Sequence, residues 1–236
     1  MAGLDGKVVM VTGASRGIGL AIAQRLAGEG ARLVMVARHR ESLRRAKSQV
    51  AGDPLLVQAD VTRAPDVNRM FRQVGRRCGR LDVLVNNAGV FTYKPFRRTT
   101  LTDWRRNLET NLTSLFLVTR AALPWLAKSR GAHIVNILSV SSRLVFPNCS
   151  AYTASKFGAL GLTRVLAEEL RPLKIRVTAI LPGSTNTRLT DEFGFAVRRA
   201  ELIQPADVAE AVLSALRQPP RTTVEEVWLA PSRGAV

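Results

Sequence analysis

A tyrosine and a lysine four residues apart, Tyr152 and Lys156, are the pair in this sequence best placed to move a proton. Their segment has apolar residues at helical spacing, and residues i and i+4 share one face of a helix. A free phenol, with a pKa of about 10, is a weak base at neutral pH, and a neighbouring ammonium favours the phenolate. The spacing is compatible with acid–base chemistry by Tyr152 with the help of Lys156, although such a pair by itself is more often a pair on the protein surface.

Two polar residues upstream are candidates to complete this site. Ser139 follows an apolar run, His133–Leu138, that is typical of a buried strand. Asn111 lies within a long helical pattern, Thr102–Lys128, where an amide flanked by apolar turns needs a polar partner. Because ligands of an open parallel sheet bind beyond the carboxyl ends of its strands, we expect Ser139 at the ligand crevice.

A glycine-rich turn, Gly13–Gly19, stands between the first apolar run and the first helical pattern. Glycines at 13, 17 and 19 permit a tight turn and a close approach of the backbone to a pyrophosphate at the helix N-terminus. The spacing differs from the common Gly-x-Gly-x-x-Gly, and such glycines also occur in purely structural turns. Their place between a strand and a helix favours cofactor binding.

The end of the second apolar run selects between nicotinamide cofactors. An NAD-binding unit carries an acid about 20 residues after the glycines, where it binds the ribose 2′-hydroxyl. In this chain no acid follows the end of the second apolar run until Glu41, and Arg38 stands where the acid is expected. Arg38 and Arg16, the latter inside the glycine turn, offer guanidinium forks that suit a 2′-phosphate. The sequence therefore predicts NADP(H) rather than NAD(H), against the alternative that both are solvated arginines.

About seven short runs rich in Val, Ile and Leu alternate with patterns of helical length, which is typical of strands covered by helices on both faces. The predicted strands are Lys7–Thr12, Arg32–Ala37, Leu55–Ala59, Leu81–Val85, His133–Leu138, Ile175–Leu181 and Val224–Leu229. The predicted helices are Gly17–Gly28, Arg40–Ala51, Ala64–Cys78, Thr102–Lys128, Tyr152–Arg171 and Pro205–Arg217. Repeated βα units predict an α/β, Rossmann-like, doubly wound parallel sheet, with residues 1–236 forming one domain.

The composition limits the function classes. Of the 236 residues 46% are hydrophobic and 22% charged, as in ordinary globular proteins. Lys and Arg number 35 against 18 Asp and Glu, a net charge of +17 that by itself suggests a nucleic-acid or membrane-surface binder. Because the basic residues are scattered rather than gathered in a run, we expect neither a nucleic-acid nor a membrane partner.

Cysteines and targeting patterns set further limits. Cys78 and Cys149 cannot form a disulfide framework, and with the two histidines they show no zinc spacing, so no metal site is expected. No secretory pattern opens the chain, and no apolar run approaches the roughly 18 residues of a membrane span. We therefore expect a cytoplasmic protein.

A set of motifs, in order along nearly the whole chain, resembles a known family. They are TGASRGIG at Thr12–Gly19, NNAG at Asn86–Gly89, Asn111, Ser139, YTASK at Tyr152–Lys156 and PGSTNT at Pro182–Thr187. Together they resemble the short-chain dehydrogenase/reductase family, in its compact, NADP-preferring branch. The resemblance implies hydride transfer between NADP(H) and a small carbonyl compound or its alcohol, by a homodimer or homotetramer.

The resemblance also assigns roles within the reacting site. Tyr152 would protonate the carbonyl oxygen during reduction and act as the base in alcohol oxidation. Lys156 would hydrogen-bond the nicotinamide ribose and lower the phenol pKa, while Ser139 would position the substrate oxygen. Asn111 would hold a water that connects Lys156 to solvent.

Further residues would bind the cofactor if the resemblance holds. Asp60 and Val61 would meet the adenine, the motif at 87–89 would pack along the adenosine, and Thr187 would meet the carboxamide. The full predicted set is Gly13, Ser15, Arg16, Gly17, Ile18, Gly19, Arg38, Asp60, Val61, Asn87, Ala88, Gly89, Tyr152, Lys156, Pro182, Gly183, Thr185 and Thr187.

In the family two segments choose the substrate, here Val140–Ser150 and Arg188–Ile203. Their apolar side chains fit a pocket for an aliphatic or aromatic carbonyl compound, and equally fit the packing of a lid. They are Val140, Leu144, Val145, Phe146, Leu189, Phe193, Phe195 and Val197.

Three alternatives stay open. The chain ends in VEEVWLAPSRGAV, without the Gly-Gly turn of many family members, which argues against a tetramer and against reduction of 3-oxoacyl groups on a carrier protein. That reaction is nevertheless one alternative, with an acidic carrier protein docking on Arg130, Arg171 and Lys174. A non-catalytic NADP-sensing regulatory protein is the second, although the complete Asn, Ser, Tyr and Lys set argues against it. Nucleic-acid binding, suggested by net charge alone, is the third.

Overall fold

The computed structural model describes residues 3–192 and 198–232. Its strands are β1 (Val8–Thr12), β2 (Arg32–Ala37), β3 (Leu55–Gln58), β4 (Val83–Asn86), β5 (His133–Ile137), β6 (Arg176–Pro182) and β7 (Glu226–Leu229). They form one parallel sheet in the order β3-β2-β1-β4-β5-β6-β7. The order of the strands reverses between β1 and β4, so the ligand crevice of such a fold lies beyond their carboxyl ends. The predicted fold class is confirmed.

Helices cover both faces of the sheet. They are α1 (Gly17–Ala27), α2 (Arg40–Lys47), α3 (Ala64–Cys78), α4 (Leu101–Leu108), α5 (Ser114–Leu126), α6 (Ser150–Leu170) and α7 (Pro205–Leu216). On one face Val9 and Val11 of β1 pack with α1, α2 and α7, and on the other Val8 and Met10 pack with α3, α5 and α6. The alternation along a strand buried on both faces explains why β1 is continuously apolar.

The predicted continuous helix Thr102–Lys128 is wrong in its middle. α4 and α5 are separated by a π-helical turn, Glu109–Thr113, which contains Asn111. The Ser114 hydroxyl donates to the Thr110 carbonyl at 2.6 Å, and the Ser114 backbone N–H bonds to the Glu109 carbonyl instead. A π turn makes i−5 backbone bonds in place of the regular i−4 bonds, and apolar periodicity does not show it.

Most other elements differ from the predictions by one to four residues at their ends, and α2 differs most. α2 ends at Lys47 rather than at Ala51, because the hydroxyl of Ser48 bonds back to the Arg45 carbonyl at 2.9 Å and turns the chain. The last strand begins at Glu226 rather than at Val224. Neither difference moves a residue of the predicted site.

Candidate active site

The glycine turn after β1 is shaped for close backbone contacts. Gly13 and Gly17 have φ of +67° and +55°, which L side chains rarely adopt. A Cβ on Gly13 would lie 2.9 Å from Asn87 Nδ2, and a Cβ on Gly19 would collide with the Gly13 carbonyl. The side-chain amide of Asn87 donates to the Thr12 carbonyl at 2.9 Å and thereby ties the turn to the loop after β4. The turn is a cradle that any side chain at these glycines would fill.

Two arginines border this cradle without acidic partners. Arg16 comes directly before α1 and Arg38 directly after β2, and both side chains are exposed. Within residues 3–192 and 198–232 neither guanidinium forms a salt bridge, although the acids of this basic chain are engaged with other arginines such as Arg25, Arg143 and Arg164. Exposed cations beside a glycine cradle fit the phosphates of a dinucleotide.

The segment after β6 closes the other side of the cradle. A Cβ on Gly17 would lie 3.5 Å from Thr187 Cγ2, so the predicted phosphate and nicotinamide ends of the site adjoin. Thr185 donates its hydroxyl to the Gly183 carbonyl at 2.9 Å, and the Gly183 N–H bonds to the Leu229 carbonyl of β7 at 2.8 Å. The backbone of the predicted PGSTNT motif is thus held from both directions.

The predicted adenosine contacts lie in the loops after β3 and β4. Asp60 accepts two hydrogen bonds from Thr62, from the backbone N–H at 3.0 Å and from the hydroxyl at 2.7 Å, while the neighbouring Val61 is buried. The Ala88 N–H donates to the Thr12 hydroxyl at 3.1 Å. Thr12, which sequence reasoning did not single out, therefore organises the loop after β4, and its place before the first glycine was the available signal.

The predicted reacting groups come together at the end of β5. Ser139 follows this strand, and its side chain neighbours the phenol of Tyr152 closely enough to lower the pKa of that phenol. Lys156, one helical turn after Tyr152 on α6, is buried; its Nζ donates to the Ile137 carbonyl at 3.2 Å and lies 5.7 Å from the centroid of the Tyr152 ring. Phe91 packs edge-on against the same ring, with centroids 4.8 Å apart, a contact that the sequence did not reveal.

Burial dominates the electrostatics of this site. Burial raises the pKa of Tyr152 to about 12, while the neighbouring side chain of Ser139 acts in the opposite direction. Burial likewise lowers the pKa of Lys156 to about 8, because removal from water disfavours the ammonium. The pKa of the phenol is thus raised in this structure, against the prediction that Lys156 lowers it. At neutral pH both groups carry their protons.

Asn111 holds the site together through its side chain. Its Oδ1 accepts from the Val90 N–H at 2.9 Å, and its Nδ2 donates to the Val90 carbonyl at 3.0 Å and to the Ser155 hydroxyl at 2.9 Å. Ser155 in turn donates to the Tyr152 carbonyl at 2.6 Å. Ser155 is a second residue that sequence reasoning passed over, although it stands inside the YTASK motif.

The predicted substrate segments are only partly enclosed. Val140 is buried, whereas Leu144 and Val145 are exposed over 42% and 76% of their surfaces. Leu189 is also exposed, and Phe146 lines an open apolar cavity of about 390 Å³ beside the first turns of α6. The remaining predicted side chains of the second segment, Phe193, Phe195 and Val197, lie outside the described residues.

The described ranges 3–192 and 198–232 contain neither a candidate metal site nor a candidate membrane span. No group of three or more His, Cys, Asp or Glu side chains is arranged to hold a metal ion there. None of the helices found in that part of the chain combines the length and apolar character needed to cross a bilayer. The buried Cys149, near Tyr152, has its pKa raised to about 11 by burial and so carries its proton at neutral pH.

Comparison with known proteins identifies the family. A family model described as short chain dehydrogenase matches residues 7–195. The chain belongs to the short-chain dehydrogenase family. An uncharacterized oxidoreductase of Staphylococcus aureus is 32% identical over 232 residues, which cover 98% of this chain and 100% of that protein. The resemblance drawn from the motifs is confirmed, and the chain is an oxidoreductase of this family.

Solved structures of short-chain dehydrogenases superimpose closely on this chain. A metagenomic short-chain oxidoreductase in complex with NADP has 34% sequence identity and a TM-score of 0.85, covering 98% of this chain and 99% of that one. An alcohol dehydrogenase from the archaeon Thermococcus sibiricus, complexed with 5-hydroxy-NADP, has 28% identity and a TM-score of 0.90 over the same shares of the two chains. Family membership carries the use of a nicotinamide cofactor.

Proposed function

We propose that this short-chain dehydrogenase is an NADP(H)-dependent oxidoreductase that interconverts a ketone or aldehyde with its alcohol. The observation that carries the proposal is the contact of the Tyr152 phenol with the Ser139 side chain, beside the buried ammonium of Lys156. A serine hydroxyl beside a protonated phenol marks the place where a carbonyl oxygen would accept a hydrogen bond from each.

The glycine cradle and the two unpaired arginines support NADP(H) as the cofactor. When bound, the nicotinamide supplies or removes the hydride, while the protein supplies alignment and the proton. Arg16 and Arg38 would bind the 2′-phosphate, and Asp60 would meet the adenosine. The loop after β4 and the segment from Pro182 to Thr187 would hold the remainder. These contacts, like the predicted site residues as a set, belong to the proposal.

Tyr152 and Lys156 are both protonated at neutral pH, which favours carbonyl reduction, the direction in which Tyr152 acts as the acid. With its pKa near 12 the phenol keeps its proton until a developing alkoxide takes it. Lys156, with a pKa near 8, keeps a proton at neutral pH and can return one to the phenolate. We assign to Asn111 the water that links Lys156 to solvent; its Oδ1 carries one bond from Val90 and has an acceptor position left.

Assembly and location complete the proposal. We infer one catalytic domain over the whole chain, working in the cytoplasm as a homodimer or homotetramer. Phe116 on α5 and Phe157 and Val165 on α6 are exposed over 43%, 43% and 51% of their surfaces, which supports pairing through these two helices. The acidic carrier protein stays an alternative partner; of its predicted docking residues, Arg171 already pairs with Glu168 at 2.7 Å.

A panel of carbonyl compounds tests the reaction class. The full chain is incubated with aliphatic ketones, aryl ketones, aldehydes and a 3-oxoacyl thioester, free and attached to a carrier, with NADPH or NADH. We expect loss of the reduced-nicotinamide absorbance with at least one carbonyl class and a preference for NADPH. Turnover of the carrier-bound thioester alone would select the carrier-protein alternative. Tight NADPH binding with no turnover of any compound would instead favour the sensing protein.

A further inference from the structure

The last strand, β7, begins with a carboxylate that is unusual in so basic a protein. Glu225 comes directly before this strand, and Glu226 is its first residue. The carboxylate of Glu225 is 67% exposed, whereas that of Glu226 is only 24% exposed and lies between two guanidinium groups. The predicted function gives this acid no task.

Glu226 binds two arginines at once, one with each oxygen. Its Oε2 accepts from Nε and Nη2 of Arg143 at 3.0 and 2.6 Å. Its Oε1 accepts from Nε and Nη2 of Arg164 at 3.0 and 2.9 Å. Burial alone would raise the pKa of Glu226, but the bonds from Arg164 and Arg143 lower it below its ordinary value. Glu226 is therefore ionised at neutral pH.

The two arginines belong to the two segments that carry the reacting groups. Arg143 ends the 3-10 turn that starts after Ser139: the Ser142 N–H bonds to the Ser139 carbonyl at 2.9 Å, and the Arg143 N–H to the Val140 carbonyl at 3.0 Å. Arg164 lies on α6, about two turns beyond Lys156. A paired fork of charge-assisted bonds fixes orientation as well as distance.

We propose that Glu226 is a positioning residue that holds the Ser139 turn against the helix of Tyr152 and so sets the geometry of the hydroxyl pair. It acts through Arg143 and Arg164 and does not itself touch the reacting atoms. β7 also accepts the Gly183 N–H at the Leu229 carbonyl, at 2.8 Å, so this strand braces the segment that would border the nicotinamide. The inference rests on the proposed function for its kinetic consequence.

The kinetic test compares Glu226→Gln with Glu225→Gln in the full chain. Because a misplaced proton donor slows chemistry more than binding, we expect Glu226→Gln to lower kcat about tenfold, with KM for the carbonyl substrate and for NADPH within about threefold. Glu225→Gln is the matched control: it removes the neighbouring charge and its pairing with Arg171 at 3.5 Å, and should leave kcat unchanged. Glu226→Asp, which keeps the charge, should recover part of the loss. Equal kcat in the parent and in folded Glu226→Gln would overturn the proposal.

Two arginine variants keep the test decisive if Glu226→Gln does not fold. Arg143→Gln and Arg164→Gln each remove one of the two salt bridges of Glu226, which together form the clamp. The two arginine side chains are 41% and 56% exposed, so folding should survive both substitutions. Each should lower kcat in the same direction as Glu226→Gln. Parent-like kcat in both folded variants would contradict the clamp.

A spectroscopic test separates failure of this inference from failure of the proposed reaction. The chain contains two tyrosines, so labelling with ¹³C at the ring carbon bonded to oxygen gives two resonances, assigned by Tyr93→Phe. We expect Glu226→Gln to shift the Tyr152 resonance and to leave that of Tyr93 in place, whereas Glu225→Gln shifts neither. This result holds even if no carbonyl compound is turned over. An unmoved Tyr152 resonance in Glu226→Gln would sink the inference.

Discussion

The two edges of the sheet, at the amino and the carboxyl ends of its strands, treat charged groups in opposite ways. At the amino edge, before β4, Asp82 is 3% exposed and fully engaged: it accepts from the Val8 N–H at 2.8 Å, from Arg80 Nε at 2.9 Å and from the Ser129 hydroxyl at 2.5 Å. At the carboxyl edge Arg16 and Arg38 form no salt bridge within the described ranges, and Tyr152 and Lys156 have strongly shifted pKa values.

The difference separates residues that hold the fold from residues that wait for a ligand. A buried charge surrounded by donors stabilises the native state, and its loss leaves those donors unpaired. Perturbed, incompletely paired groups cluster where a protein binds and reacts. Substitutions at the amino edge should therefore reduce stability with little effect on cofactor choice. Substitutions at the carboxyl edge should change cofactor choice or turnover with little effect on stability.

The largest effect on stability is expected at Asp82. Asp82→Ala removes the acceptor of three hydrogen bonds and should lower the free energy of unfolding by about 3 kcal/mol, because donors to a buried carboxylate lose their partner. Denaturant unfolding measures this change. Asp53→Ala, which breaks the exposed pair with Lys47, is the control and should leave the midpoint unchanged. An Asp82→Ala midpoint equal to the parent's would erase the contrast between the edges.

Cofactor choice should change at Arg38 with stability preserved. Arg38→Asp replaces the fork for the 2′-phosphate by a repelling charge, so the ratio of kcat/KM for NADPH to that for NADH should fall about 100-fold. Arg45→Asp, an exposed arginine on α2, introduces the same charge change away from the crevice and should leave the ratio within about threefold. An unchanged ratio in Arg38→Asp would remove the argument for NADP(H).

A smaller effect is expected in the pH dependence of stability. Burial, helped by nearby Arg176, lowers the pKa of His133 at the start of β5 to about 3, from an ordinary value of 6.5. Between these values the unfolded chain binds a proton that the folded chain does not, so the free energy of unfolding falls by up to about 1.4 kcal/mol per pH unit as the pH falls.

The other histidine provides the control for this prediction. His133→Gln should make the free energy of unfolding, measured by denaturant, less dependent on pH between about pH 6 and about pH 4. The exposed His39→Gln should retain the parent's slope. The same slope in parent and His133→Gln would show that the buried imidazole does not govern the acid response.

Sequence patterns predicted the parts of the molecule that rest on local rules. Continuous apolar runs such as that of β1 indicated a sheet buried on both faces, and the i, i+4 spacing placed Tyr152 and Lys156 together on α6. The end of β5 brought Ser139 to the same point, as strand direction required. The glycine spacing located the cradle beside β1.

Features that depend on long-range pairing were beyond the sequence. The salt bridges of Glu226 join it to Arg143, which is 83 positions away in the chain, and to Arg164, which is 62 positions away. Neither arginine is distinguished by its neighbours in the sequence. The π turn at Asn111 interrupts a helical pattern whose apolar spacing continues through it, so the spacing does not reveal it. Burial of the phenol, which raises its pKa, depends on packing that includes Phe91. Such effects follow from the assembled core and not from local spacing.

The most direct measurement compares the two tyrosines of the chain as phenylalanine variants. With a carbonyl compound that the parent reduces, Tyr152→Phe should lower kcat by about 10³-fold while the Kd for NADPH, followed by nucleotide fluorescence, stays within about threefold. Tyr93→Phe, which removes only the hydroxyl that accepts from Asn148 at 3.0 Å, should keep most of the turnover. Retention of more than about a tenth of the parent's kcat by Tyr152→Phe would contradict its assignment as the proton donor.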